Sequence, residues 1–199
     1  MAGPGNQIGI LLFDDVEELD AVGPWEVLAH WTRRYPEDGW SVSLLSRGGE
    51  AVRAAKGMLI GAHRPLDGKG ALDVLIHPGG HGTRRLMGDE QHLAWVRAQR
   101  ERVPLMASVC TGALVYAAAG LLRGRPATTH WAAFDELAAA DPSIQPRPAD
   151  RYVDDGDIIT SAGVSAGIDM ALHMVVRLAG PGRAAQVRRA IQYDPAPPA

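Results

Sequence analysis

The chain has a single cysteine, Cys110. It lies between a short apolar run, Val103 to Val109, and an alanine-rich run from Thr111 to Ala119 that Gly120 closes. The first reads as a buried strand and the second as a helix with a glycine stop. Cys110 therefore falls at a strand-to-helix junction. A thiol there faces free amides and the positive end of the helix, a setting that favours thiolate. A sharp turn at such a junction is also how other α/β enzymes expose a nucleophile above the sheet. Alone, the residue reads equally as a small buried hydrophobe, so its role depends on what else the chain supplies.

Asp20 is the second candidate. It stands between Leu19 and Ala21-Val22, and desolvation in such a setting raises a carboxyl pKa. It could then serve as general acid and base beside the thiol; a helix N-terminal acid or a solvated loop charge is the plainer reading of the same residue. Gly79 and Gly80 follow an apolar strand, where backbone amides could approach a reacting atom or simply form a tight turn. No Gly-Lys-Ser/Thr follows them, so the pair is not a phosphate loop. Thr111 offers an amide and a hydroxyl next to the nucleophile. His130 would suggest a hydrolase if it paired with the cysteine; otherwise it is a pocket residue. The other histidines (30, 63, 77, 81, 92 and 173) lack metal-ligand spacing, so no metal is expected. Asp14, Asp15, Glu17 and Glu18 read as solvated loop charges. Arg84, Arg85, Arg97, Arg100 and Arg102 read as a solvated helix face, and Trp25, Trp31, Trp95 and Trp131 as core or interface aromatics.

The elements that must position these residues alternate along the chain. Apolar strands are predicted at 7–13, 40–46, 73–77 and 103–109, with short ones at 51–53, 58–60 and 127–129. Tyr152-Val153 and Ile158 to Thr160 flank Asp155-Gly156 as a hairpin. Helices are predicted at 24–31, with Pro24 in the first turn, at 83–102 with a break near Gly88, at 111–119, 131–139, 164–178 and 184–193. Strands alternating with helices imply an α/β fold with a mainly parallel sheet covered on both faces. Ligands bind such sheets at the carboxyl ends of the strands, where the loop after Phe13, Gly79-Gly80 and Cys110 all fall.

The 199 residues suit one domain, with 46% hydrophobic and 22% charged content close to ordinary globular usage. The expected division is a flexible N-terminus at 1–6, one domain at 7–194 and a Pro-rich tail at 195–199. A net charge of -3 gives no sign of a nucleic-acid partner. One cysteine excludes an internal disulfide framework. The N-terminus lacks a signal-type pattern, and no apolar run reaches membrane-spanning length, so a cytoplasmic location away from membranes is expected.

Several segments occur together in a recognisable order: Leu11-Leu12-Phe13 to Leu19-Asp20 and Gly23-Pro24, His77-Pro78-Gly79-Gly80, Ser108 to Gly112, Ala127 to Trp131, and Thr160 to Gly163 with Gly167-Ile168-Asp169. In that order they resemble the ThiJ/PfpI superfamily, the class I glutamine amidotransferase-like proteins, and within it the isocyanide (isonitrile) hydratases. The resemblance runs from the first strand to Tyr193-Asp194-Pro195. It implies a single-domain flavodoxin-like sandwich with a nucleophile elbow. It further implies a cofactor-independent, cysteine-dependent hydration of a small-molecule isonitrile, with Cys110, Asp20 and Thr111 catalytic and Gly79, Gly80, Thr111 and His130 around the substrate. A homodimer is implied as well. Protease members of the superfamily carry histidine directly after the nucleophile, where this chain has Thr111. Two other branches compete. Ligand-sensing domains of AraC-type regulators carry a helix-turn-helix region afterwards, and none is expected here because the sequence stops at Ala199. Glyoxalase or deglycase-type stress proteins would want glutamate where this chain has Asp20.

Overall fold

A computed structural model describes residues 5–68 and 70–194. In chain order its elements are β1 (Asn6–Leu11), α1 (Glu18–Arg34), β2 (Trp40–Ser46), β3 (Val52–Arg53), β4 (Leu59–Ile60), β5 (Arg64–Pro65), β6 (Val74–His77), α2 (Thr83–Met87), α3 (Glu90–Arg100), β7 (Leu105–Val109), α4 (Gly112–Ala118), β8 (Pro126–Ala127), α5 (Phe134–Ala140), β9 (Gln145–Pro146), β10 (Tyr152–Asp154), β11 (Ile158–Ser161), α6 (Ala166–Ala179) and α7 (Pro181–Ala190). One seven-stranded sheet has the order β10-β11-β7-β6-β1-β2-β5. Only the β10–β11 hairpin, turned at Gly156 with φ 84°, is antiparallel within it.

The five long parallel strands thus run β2-β1-β6-β7-β11, the doubly wound flavodoxin-like order, whose direction reverses between β1 and β6. Side chains alternate across it. Ile8, Ile10, Val74, Ile76, Ala107 and Val109 meet Val27 and Trp31 of α1 and Met170 and Met174 of α6. Leu75 and Met106 meet Leu93, Leu114, Tyr116 and Leu137 on the other face. Strands buried on both faces need no polar alternation, which is why they read as continuous apolar runs.

The start of α1 departs from the expectation. The helix begins at Glu18, six residues before Pro24, which sits inside it. Proline costs a helix one N–H bond and crowds the carbonyl four residues back; here that carbonyl belongs to Asp20, still within the first turn, and burial of Ala21, Gly23 and Val27 holds the helix together. Asp20 is therefore a first-turn helical residue. The expected strand at 7–13 is shifted to Asn6–Leu11, that at 127–129 reduces to Pro126–Ala127, and the last helix starts earlier, at Pro181. Asn6 already belongs to β1, so the flexible segment expected at 1–6 is ordered at its end; residues 1–4 and the Pro-rich tail at 195–199 lie outside the described residues.

Candidate active site

Four loops converge at the carboxyl ends of β1, β6, β7 and β11. Cys110 follows β7 directly and takes φ 56°, a left-handed conformation that non-glycine residues adopt rarely. Its backbone is held there from both sides. The Cys110 amide donates to Ser161 O at 3.0 Å, and the Thr129 hydroxyl donates to Cys110 O at 2.9 Å. Gly112 has no room for a side chain, because a Cβ would strike the His77 and Pro78 carbonyls. The elbow expected from sequence is therefore present, and strain of this kind persists only where the surroundings over-determine it.

Asp20 is fully buried. Its Oδ2 accepts from the Gly79 amide at 3.0 Å, while Oδ1 is buried with no partner at hydrogen-bond geometry. The carboxyl also senses the Cys110 thiol and the Val164 amide. Burial pushes the Asp20 pKa up to about 7, against the lowering pull of Cys110 and Gly79. Burial and the neighbouring Asp20 carboxylate push the thiol of Cys110 up to about 12, although the Thr111 and Val164 amides favour its anion. The expectation of a thiol made acidic by its helix is thus overturned. Short helix α4 and two amides are outweighed by desolvation and a like charge. Two groups coupled in this way titrate as a pair rather than singly.

The glycine turn also works differently from the expectation. The Gly79 amide is committed to Asp20 and the Gly80 amide to Thr111 Oγ1, at 2.9 Å. Neither is free to meet a reacting atom in this structure; the amides that face the sulfur are those of Thr111 and Val164. Gly79 instead provides close approach. A Cβ there would lie 2.5 Å from Thr111 N and 2.8 Å from Asp20 Oδ2. The Thr111 hydroxyl joins Gly80 to Thr83, whose Oγ1 lies 3.2 Å from it.

A cavity of about 240 Å³ opens onto Cys110, Thr111, Gly80, His130 and Val164, with Glu17 and Arg84 at its rim. His130 Nδ1 accepts from the Ala132 amide at 3.3 Å, and its ring rests on Gly163. A larger hollow of about 440 Å³ lies between α6 and α7 and contains none of these residues.

Three residues escaped the sequence reading. Val164 takes φ 52° although it is β-branched, and so aims its amide into the site; nothing in the apolar run around it signals this. Glu17 is no mere loop charge, since it lines the cavity, pairs with Lys56 and raises Asp20. Arg84 leaves the solvated face to line the same cavity, held by Glu136. Trp131 is 82% exposed, which removes the core alternative for it and leaves the interface one.

A doubly wound sheet with a left-handed cysteine at the β7–α4 elbow and a buried acid beside it places the chain among the α/β proteins that carry a site at the carboxyl ends of their strands. The DJ-1/PfpI family model matches residues 6–177, and the chain belongs to that family. It is 41% identical to an isonitrile hydratase of Pseudomonas putida over 193 residues, 96% of this chain and 80% of that protein. A ThiJ/PfpI family protein from Pseudomonas syringae superposes with a TM-score of 0.84 at 32% identity, covering 98% of this chain and 78% of that one. An HTH-type transcriptional regulator of Pseudomonas aeruginosa, GbdR, is 28% identical over 94% of this chain but only 50% of its own length.

Proposed function

We propose that the protein hydrates isonitriles to N-substituted formamides, with Cys110 as nucleophile and Asp20 as general acid and base. The observation that carries the reading is the fully buried Asp20 carboxyl against the strained Cys110 thiol; the identity with an isonitrile hydratase supports it. The terminal carbon of R–N≡C carries a lone pair and becomes electrophilic once protonated. Asp20, holding the shared proton, delivers it to that carbon as the Cys110 sulfur bonds there, giving the thioimidate R–N=CH–S–Cys. The Asp20 carboxylate then takes a proton from water as the water oxygen adds to the same carbon, and passes that proton to the nitrogen. The C–S bond breaks as the adduct's hydroxyl gives its proton back to the Asp20–Cys110 pair, and R–NH–CHO leaves, so one water is consumed and no redox step occurs.

Oδ1 of Asp20, free of a fixed partner, is the oxygen suited to carry the moving proton, while Oδ2 stays on Gly79. Thr111 and Val164 amides stabilise the thiolate. Thr111 also ties the glycine turn to the elbow, and His130 and Gly80 bound the substrate. No metal or cofactor enters these steps, and the family resemblance supports action as a homodimer; a cytoplasmic location is proposed with it. The test is formamide production from one aliphatic and one aromatic isonitrile by wild type and Cys110→Ala. Wild-type turnover that the variant loses is expected. Tight binding without turnover would instead favour a ligand sensor like the regulators' related halves.

A further inference from the structure

Beneath the site lies a histidine pair that the chemistry above does not use. His77, the last residue of β6, is fully buried, and its Nε2 lies 3.1 Å from Nε2 of His92 on α3. His77 Nδ1 lies 2.9 Å from Pro78 O. A carbonyl only accepts, so Nδ1 of His77 carries a hydrogen. Nε2 of the neutral ring is then bare, and the hydrogen between the rings belongs to His92. The rings are pinned in these orientations. Phe13 and Tyr116 pack on His77, and Trp95 stacks on His92. The charged groups facing the pair are Asp89, whose Oδ1 accepts from the His92 amide, and Arg47; Asp67 shares the small hollow beside His92. Burial keeps both rings neutral, which agrees with the hydrogen positions.

Pro78 O and Gly79 N–H belong to one planar trans peptide. One end of that plane is held by His77, and the other grips Asp20 Oδ2. Hydrogen bonding at the carbonyl polarises the amide as a donor. We propose that His77, backed by His92, is a positioning residue that fixes the Pro78–Gly79 peptide and thereby the Asp20 carboxyl that shares a proton with Cys110. His92 donates to His77, His77 to Pro78, and Gly79 to Asp20, so every donor in the chain points toward the acid.

The test compares His77→Leu with His77→Asn, whose side-chain amide can still reach Pro78 O. The activity-independent readout is the pH midpoint of Cys110 alkylation by iodoacetamide. Weakening the Gly79 donor destabilises the Asp20 carboxylate, so the leucine variant should shift the midpoint upward by about half a pH unit or more. The kinetic readout rests on the proposed hydration: kcat should fall about tenfold with KM little changed. The asparagine variant should restore both. Wild-type values in a natively folded His77→Leu, or equal impairment in both variants, would overturn the proposal. Should His77→Leu not fold, His92→Leu against His92→Gln poses the same contrast, because only glutamine can donate to His77 Nε2. A wild type that turns over no isonitrile defeats the functional reading alone, and the alkylation midpoints still decide the role of the histidines.

Discussion

At the scale of the residue, the proposed mechanism treats Cys110 and Asp20 as one acid with two places for its proton. On that mechanism thiolate becomes available only once the first of the pair's two protons has left, near pH 7. The kcat/KM profile for an isonitrile should therefore rise with pH through about 7 and then stay level across the mildly alkaline range. Asp20→Asn keeps the size and can still accept from Gly79, but it has no proton to exchange. It should fold yet lose at least ~100-fold in turnover, the low end for a positioned acid–base group, and the alkylation rate of Cys110 should lose its step near pH 7. Full turnover in a folded Asp20→Asn would defeat the mechanism even with Cys110 essential. The nearness of Asp20 to Cys110 was legible from residue types and family order, but the direction of the thiol shift was not. The helix terminus is local and readable, whereas the burial that outweighs it is a property of the whole fold.

At the scale of the element, the site is made by loops leaving parallel strands. Glu17 N donates to Gly79 O at 2.9 Å, and Val16 and Gly80 form an isolated bridge, so the loops after β1 and β6 are stitched together. Gly79→Ala should disrupt this more than any stability change suggests. Its Cβ would meet Thr111 N and Asp20 Oδ2 inside van der Waals distance, and moving either by a few tenths of an ångström misplaces the acid. Turnover should fall about 100-fold, with a modest loss in urea midpoint; retained activity would show that the turn can yield without moving Asp20. The long strands β1, β2, β6 and β7, the β10–β11 hairpin and the elbow were legible because apolar runs, Asp155-Gly156 and the Gly120 stop are local signals, whereas the two-residue strands β5 and β9 carry no such run. The first turn of α1 was not, since Pro24 marks a boundary locally and tertiary burial overrides it. Val164 was invisible as well, because nothing in the residue type of a valine favours the positive φ it takes.

At the scale of the whole molecule, assembly and pH stability can both be argued. Leu19, Met58, Leu59 and Trp131 are exposed apolar side chains, compatible with the proposed homodimer; sedimentation at micromolar concentration should give twice 21.2 kDa, and a monomer would refute it. Stability against pH is set by buried groups of opposite sign. His77 and His92 have folded-state pKa values near 3 and 4, below the ordinary 6.5, so they favour the folded state above pH 6.5 and that stability is lost as pH falls. Asp20 is raised from 3.8 to about 7, so its penalty on folding grows as pH rises between those values. From about pH 4 to 6.5 the unfolded chain holds two histidine protons and the folded chain one aspartate proton. The difference of one gives a slope of about 1.4 kcal/mol per pH unit, with stability rising toward neutrality. Near pH 7 the histidine and aspartate titrations overlap and cancel, so the rise levels off there. The paired surface carboxylates such as Asp38 and Asp157 are held below 3.8 and act only in stronger acid. Urea melts from pH 4 to 8 at fixed protein concentration should show this profile. His92→Gln should flatten the acid limb, and Asp20→Asn should steepen it. An Asp20→Asn profile parallel to wild type would mean that the buried carboxyl does not gain a proton on folding, and the shared-proton account of the site would fall with it.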